Sequence, residues 1–160
     1  MRVGIGHDTH RLVEGRPLIL AGVTIPHPRG LMGHSDADVV MHAVADALLG
    51  AAALGDIGEH FPDTDPRWKG IAGRDLLAQV YEMVRSRGWV AVNIDVTIHA
   101  QSPKLSPYKQ TMAAHLAETL ALNLSDVNVK AKTGEGVGPV GLGEIIGCDA
   151  AALIRANQFD

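Results

Sequence analysis

The stretch SDADVVMHAVADALLGAAA, residues 35–53, decides the fold because its apolar side chains point in nearly every direction around a helix. The residues that do so are Val39, Val40, Met41, Val44, Leu48 and Leu49. A helix that is apolar nearly all round must be covered nearly all round, so this helix is predicted to be buried. We expect Ser35 or Asp36 to cap its start and the helix to end near Ala53.

Strand and helix patterns alternate on either side of this segment, with turn residues between them. Strands are predicted at 2–5, on both sides of a Gly22 turn within 17–26, and at 89–101, 127–132 and 144–154. Further helices are predicted at 74–87 and, capped by Ser106 with Pro107 in first position, at 106–122. Loops are expected at 28–30, 55–70, 102–104 and 133–143. The order predicts an α/β fold: a single domain over residues 1–160, with a mixed β-sheet covered by helices.

Composition excludes several classes of protein. The 14 basic and 18 acidic residues leave a net charge of −4, and only 4% of residues are aromatic, so nucleic-acid binding is not expected. Cys148 is the single cysteine, which rules out a disulfide within the chain and fits a reducing compartment. No apolar run approaches the roughly 20 residues of a membrane span, and a strand pattern starts at once without a targeting peptide. We therefore expect a cytoplasmic, bacterial protein that has no membrane partner.

A possible metal site combines the end of the first strand with the buried helix. Asp8 and His10 are two residues apart, so in extended chain their side chains point the same way, and His42 is a polar exception on the buried helix. Two histidines and a carboxylate are a ligand set that zinc accepts. Asp38 or Asp46, one helical turn from His42, could hold its second ring nitrogen. The alternative is a structural one, in which His42 is a hydrogen-bonded core histidine and Asp8 a turn residue.

Two further motifs point to anion binding rather than to the enzymes they superficially suggest. The run GHSDAD, residues 33–38, is better explained as a helix start than as a Ser-His-Asp triad, with His34 beside it able to contact a phosphate. The run GVGPVG, residues 136–141, lacks the helix and the later acidic residue that a dinucleotide site needs. What remains is a loop whose Lys132, Thr133 and Glu135 suit contacts with anions and divalent cations.

Together these segments resemble the 2-C-methyl-D-erythritol 2,4-cyclodiphosphate synthase family over essentially the whole chain. The resemblance rests on GHDTH (6–10), GHSDADVVMHAVADALLGAAALGDIG (33–58), FPDTDP (61–66), QSPKLSP (101–107), VNVKAKTGEG (127–136) and GLGE (141–144). It implies an α/β homotrimer with active sites between subunits. It also implies conversion of 4-diphosphocytidyl-2-C-methyl-D-erythritol 2-phosphate to the cyclic diphosphate, with release of CMP.

The resemblance also implies a role for individual residues. Asp8, His10 and His42 would bind Zn²⁺, Glu135 would hold Mg²⁺ or Mn²⁺ together with the substrate phosphates, and His34 and Thr133 would stabilise the transition state. The substrate would be bound by Asp8, His10, His34, Ser35, Asp56, Ile57, Gly58, Phe61, Pro62, Asp63, Thr64, Asp65, Ala100, Gln101, Ser102, Pro103, Lys104, Leu105, Ser106, Ala131, Lys132, Thr133, Gly134 and Glu135.

Three positions depart from the family pattern. Gly134 replaces a polar residue that is frequent there, which is expected to loosen the loop around Glu135. Pro139 and Leu142 replace an aromatic residue and an arginine that help to line an axial channel, so weak or no binding of an isoprenoid diphosphate is expected. Two other functions stay open: a metal-dependent phosphohydrolase that releases free phosphate, and a zinc-stabilised trimeric binding module without turnover.

Overall fold

A five-stranded mixed sheet forms the centre of the molecule, and the computed structural model describes residues 1–157. The strands are β1 (Arg2–Glu14), β2 (Leu18–Leu20), β3 (Val23–Ile25), β4 (Arg29–Leu31), β5 (Trp89–His99), β6 (Val127–Lys132) and β7 (Ile145–Ala156). The sheet has the order β4-β1-β7-β5-β6, in which only β5 and β6 pair in parallel, while β2 and β3 form a separate hairpin. The predicted α/β class and mixed sheet are thus confirmed. The predicted domain, 1–160, ends three residues beyond the described part of the chain.

Within residues 1–157, five α-helices lie between or beside the strands. They are α1 (Val39–Ala52), α2 (Ile57–His60), α3 (Gly73–Ser86), α4 (Lys109–Thr119) and α5 (Gly138–Gly141). As predicted, α1 is buried along nearly its whole length, because it lies between the sheet and α3. Among residues 1–157, no helix has both the length and the apolar character needed to span a membrane.

Two glycines let β1 approach α1 far more closely than other residues would. A Cβ atom added at Gly4 would lie 2.0 Å from the carbonyl oxygen of Ala47, and one at Gly6 would lie 2.0 Å from that of Ala43. Side chains alternate along a strand, so Asp8 and His10 point to the same side as these glycines. The close packing therefore brings the part of β1 that carries Asp8 and His10 against the start of α1.

The start of α1 differs from the prediction. Its N-cap is Asp38, whose carboxylate accepts hydrogen bonds from the backbone N–H groups of Val40 and Met41. Ser35 and Asp36 do not cap the helix; each instead holds a turn just before it, through the N–H groups of Ala37 and Asp38. Ser35, Asp36 and Asp38 are all residue types that commonly cap helices, and their backbone conformation determines which of them becomes the N-cap.

Other differences concern elements too short to show periodicity. The predicted loop at 55–70 contains α2 and a 3-10 helix at Pro66–Trp68, which Asp56 and Asp65 cap. The predicted loop at 133–143 contains α5, and that at 28–30 overlaps β4, which pairs with the far end of β1. Ser106 starts a 3-10 helix without making a side-chain cap, and α4 follows it, ending three residues before 122. β1 is also longer than predicted and runs through the whole GHDTH motif.

The second face of the sheet is open. Val3 and Ile5 on β1, which point away from α1, are 69% and 81% exposed, and Leu142 after α5 is 67% exposed. His7 points the same way, because side chains alternate along a strand, and its Nδ1 lies 2.7 Å from a carboxylate oxygen of Asp149 on β7. The other oxygen of that carboxylate lies 2.8 Å from Nε2 of His99. A chain of 160 residues thus leaves one side of its central sheet without cover from its own described residues.

Candidate functional site

Three side chains from two distant segments converge where β1 meets α1. The Oδ2 atom of Asp8 lies 3.1 Å from Nε2 of His10 and 3.0 Å from Nδ1 of His42. One donor atom from each residue lies within 4.8 Å of the other two, a grouping that could hold a metal ion. We call Asp8, His10 and His42 the metal triad. Its members are the residues that the sequence predicted, and its carboxylate and two imidazoles suit zinc.

The outward-facing ring nitrogens of the triad also have partners. Nδ1 of His10 donates to the carbonyl oxygen of Met32 at 2.6 Å, so Nε2 is the ring nitrogen that faces Asp8. Nε2 of His42 lies 3.2 Å from the hydroxyl oxygen of Ser35. Ligand histidines in metal proteins have such outer partners, so the arrangement fits a bound metal.

The prediction that Asp38 or Asp46 would hold the second nitrogen of His42 is wrong. The Asp38 carboxylate is used by backbone groups, since it also accepts from the N–H groups of Ala21 and Gly22 at 2.9 and 2.7 Å. Asp46 accepts from the N–H of Ile57 at 2.8 Å and so fixes the start of α2 instead. Both carboxylates organise the backbone around the triad rather than the triad itself.

Asp8 and His10 shift each other's pKa values in opposite directions. Burial alone would raise the pKa of Asp8, but hydrogen bonds from His10 and His42 outweigh it and lower that pKa well below its ordinary value. For His10, burial alone would lower the pKa, and the hydrogen bond to Asp8 raises it overall above 6.5. Asp8 therefore stays ionised at neutral pH, and without a metal His10 holds its proton more firmly than a free histidine does.

A cavity of about 240 Å³ opens beside the triad. It is lined by the triad and by His34, Ser35, Ile57, Gly58, Phe61, Asp63, Trp68, Ile71 and Leu76. All the predicted site residues from Asp8 to Asp63 lie there except Asp56 and Pro62. The N–H of Ile57 already donates to Asp46, so this backbone group is not free for a ligand.

The apolar part of the cavity was mostly missed from the sequence. Trp68 packs edge-on against Phe61, with ring centroids 4.9 Å apart, and Ile71 and Leu76 complete this wall. Phe61 belongs to a recognisable motif, whereas the other three look like ordinary helix or loop residues. The one hint in the sequence that Trp68 could belong to a site is the rarity of tryptophan, since the chain has only two.

The remaining predicted site residues form a second cluster. The 100–106 segment follows β5, and Ala131 to Glu135 end β6 and begin the loop after it; the N–H of Ala100 donates to the carbonyl oxygen of Lys132. The Thr133 hydroxyl donates to Glu135 at 2.6 Å. Of the other predicted residues, Asp56, Pro62, Thr64 and Asp65 lie near the first cavity, in or beside α2 and the Pro66–Trp68 helix.

The strand register separates the two clusters within one chain. Asp8 pairs with Cys148, Cys148 with Ile98, and Ile98 with Ala131. Three strand spacings therefore lie between Asp8 and Ala131, about 14 Å. Both clusters occur at the same end of the sheet but face different parts of the molecular surface.

Gly134 has a packing role that its position in a glycine-rich loop did not reveal. A Cβ atom there would lie 2.4 Å from the backbone nitrogen of Gly141 in α5. The residue therefore lets α5 pack against the loop that carries Glu135. The expected effects of Pro139 and Leu142 on isoprenoid diphosphate binding stay predictions.

Comparison with known proteins gives relatives that match nearly the whole chain. A model of the YgbB family matches residues 1–155. A 2-C-methyl-D-erythritol 2,4-cyclodiphosphate synthase of Bordetella pertussis is 57% identical over 153 residues, which cover 96% of this chain and 94% of the relative. One of Alkaliphilus metalliredigens is 56% identical and covers 99% of this chain and 98% of the relative.

Solved structures show the same fold. A 2C-methyl-D-erythritol-2,4-cyclodiphosphate synthase with CDP bound superposes with a TM-score of 0.89 at 39% identity, covering 96% of this chain and all of that one. The bifunctional IspDF of Campylobacter jejuni gives a TM-score of 0.93 at 45% identity; the match covers 97% of this chain but only 42% of that longer one. With the family model covering nearly the whole sequence and relatives this similar over their full length, the chain belongs to the YgbB family.

Proposed function

We propose that this protein converts 4-diphosphocytidyl-2-C-methyl-D-erythritol 2-phosphate to 2-C-methyl-D-erythritol 2,4-cyclodiphosphate and CMP, as a phosphorus–oxygen lyase of the non-mevalonate isoprenoid pathway. The observation that carries the proposal is the convergence of Asp8, His10 and His42 beside a cavity, in a chain 57% identical to a protein named for this synthase. A CDP-bound relative of the same fold supports the cytidyl part of the substrate.

The metals proposed are Zn²⁺ on the metal triad and Mg²⁺ or Mn²⁺ on Glu135 together with the substrate phosphates. The donor set supports this choice, because imidazole suits zinc while an exposed carboxylate suits the harder cations. When bound, the two ions would align the diphosphate and neutralise charge that develops on it.

The chain's own residues would mainly position the substrate. An oxygen of the 2-phosphate attacks the β-phosphorus, the bond from that phosphorus to the CMP oxygen breaks, and CMP leaves with that electron pair. The attacking phosphate is already an anion, so no strong general base is needed, and alignment dominates the rate. His34 and Thr133 would donate hydrogen bonds to phosphate oxygens in the transition state, while Ser35 and Asp63 would hold the methylerythritol part.

The remaining substrate contacts fall into two groups. Asp56 and Gly58 would hold the ribose, and the 61–65 segment would bind beside the triad. The cytidine would occupy the cluster of 100–106 with Ala131 and Thr133, next to Lys132, Gly134 and Glu135. Lys104 and Lys132 would add positive charge near the phosphates.

We propose a homotrimer with active sites between subunits, in which the two clusters of one site come from different chains. Two observations support this: no residue of the second cluster is among those that line the cavity beside the triad within residues 1–157, and about 14 Å across three strands separates the clusters. The open sheet face, with Val3 and Ile5 exposed, supports contact with further copies. We also propose a cytoplasmic location and no nucleic-acid or membrane partner.

The reaction is tested by ³¹P NMR of the purified protein with the cytidyl substrate and Mg²⁺. We expect CMP to appear together with the two coupled resonances of a cyclic diphosphate. CMP accompanied by a linear phosphate product would instead identify a phosphohydrolase. The absence of any turnover, with zinc bound, would favour the binding module.

A further inference from the structure

We propose that Ser35 is a positioning residue for the metal triad: with a metal bound, its hydroxyl oxygen would accept the Nε2–H of His42 and so keep the lone pair of Nδ1 directed at the metal. The inference rests on the proposed metal site. Its geometric basis is the 3.2 Å distance between Ser35 Oγ and His42 Nε2, on a histidine that is only 5% exposed.

Proton accounting on the imidazole ring leads to this role. A neutral histidine carries one N–H, and a metal ligand must present a lone pair at the coordinating nitrogen. Nδ1 of His42 is the atom that lies 3.0 Å from the Asp8 carboxylate, inside the triad. When Nδ1 binds a metal, the single ring proton of His42 must therefore be on Nε2, and the acceptor beside Nε2 is the Ser35 hydroxyl.

A hydroxyl suits this position better than the carboxylates expected from helix spacing. Without metal, Nδ1–H donates to Asp8 and Nε2 needs a donor, whereas with metal Nε2–H needs an acceptor. A serine hydroxyl can do either, while an ionised carboxylate only accepts. A neutral partner also adds no negative charge to a site that must receive an anionic diphosphate.

The Ser35 hydroxyl can also donate a hydrogen bond into the cavity, so one group contacts both His42 and the substrate site. Its oxygen has two lone pairs, and the N–H of Ala37 occupies one of them at 3.0 Å. If Nε2–H of His42 occupies the other, the hydroxyl proton remains free to donate to an oxygen of the bound substrate, because Ser35 lines the cavity.

Ser35 is held firmly enough to act in this way. The guanidinium of Arg16 donates to the carbonyl oxygens of Gly33 and of Ser35 itself, at 2.9 and 2.8 Å. The next residue, Asp36, accepts from the N–H groups of Asp38 and Gly73 and so ties the turn to α3. Both ends of the segment are therefore anchored independently of the hydroxyl.

The test compares zinc affinity in three variants of the purified apo-protein, measured without substrate by competition with a fluorescent chelator. Ser35→Ala should weaken zinc binding by about 10–100-fold, the usual effect of losing an outer partner of a ligand histidine. Ser35→Thr, which keeps the hydroxyl, should stay close to wild type. Asp36→Ala is the matched control, because it loosens the same turn without touching His42.

The inference would be overturned if Ser35→Ala bound zinc as tightly as the wild type. It would also be overturned if Ser35→Ala and Asp36→Ala lost zinc affinity equally, because the turn and not the hydroxyl would then be responsible. Should Ser35→Ala not fold, ¹⁵N NMR of the histidines in the zinc-loaded wild type decides. A protected proton on Nε2 of His42 supports the proposal, and a proton on Nδ1 overturns it. If the wild type binds no zinc, the proposed metal site fails too, whereas a wild type that binds zinc without turnover leaves this test valid.

Discussion

Residue 42 is the point at which the proposed metal site can be removed with one substitution. In His42→Ala, Asp8 and His10 remain, but they no longer surround an ion from a third side, so zinc content should fall from stoichiometric to trace and CMP release should fall with it. Zinc is measured by elemental analysis of the purified protein. His34→Ala is the control, because His34 lines the cavity outside the triad and should leave zinc in place. Unchanged zinc in His42→Ala would show that the ligand assignment is incorrect.

The raised pKa of His10 predicts how zinc binding depends on pH. Its pKa is raised above 6.5, since the hydrogen bond to Asp8 outweighs burial, so below that raised value Nε2 carries a proton that competes with the metal. Zinc affinity should therefore rise with pH, by up to about tenfold per pH unit for one displaced proton, and should level off once the pH exceeds the raised pKa of His10. Chelator competition at pH 6, 7 and 8 measures this. An affinity that is flat over the range would mean that His10 is not a ligand.

At the scale of elements, the contact between β1 and α1 determines whether the triad forms. Gly6→Ala would put a Cβ atom 2.0 Å from the carbonyl oxygen of Ala43, so the strand must move away from the helix. We expect a loss of about 1–3 kcal/mol in the free energy of unfolding, together with weaker zinc binding. Urea denaturation measures the first quantity.

Gly50→Ala on α1 is the matched control for this substitution. Gly50 is exposed, and a Cβ atom there would approach no backbone atom more closely than 3.9 Å. In a helix the change should be neutral or should stabilise by up to about 1 kcal/mol. If both variants behave alike, the close approach of β1 to α1 is not what requires glycine at position 6.

The same elements show what the sequence can and cannot reveal. Strand alternation is local, so it predicted that Asp8 and His10 share a side. The partner of His42 depends on a turn in which Ala37 adopts a left-handed conformation, with φ of 60°. Spacing along a helix carries no information about such a turn, so it favoured Asp38 and Asp46.

Three short elements escaped prediction for a related reason. The helices α2 and α5 span about one turn each and the strand β4 has three residues, too few for a periodic pattern to repeat, and their positions are set by contacts made elsewhere in the fold. β4 exists because Arg29 to Leu31 lie beside the end of β1. Long elements with complete periods, such as α1 and α3, were found within a few residues.

At the scale of the whole molecule, subunit mixing tests whether one active site uses two chains. The variants His42→Ala and Glu135→Gln should each be inactive alone: the first loses the triad, while the second should keep zinc and lose the carboxylate proposed for the second cation. Their residues belong to clusters about 14 Å apart in one chain. If each site takes its triad from one subunit and Glu135 from the next, a mixed trimer contains some sites in which both parts are intact.

Each mixed trimer should contain one intact site in about three, because only one of its three interfaces combines an intact triad in one subunit with an intact Glu135 in its neighbour. The two variants are co-expressed with different tags, mixed trimers are isolated through both tags, and CMP release is measured. Mixing two separately inactive preparations without subunit exchange is the control and should give no activity. If isolated mixed trimers are as inactive as the single variants, the triad and Glu135 of each site belong to the same chain, and the open sheet face needs another explanation.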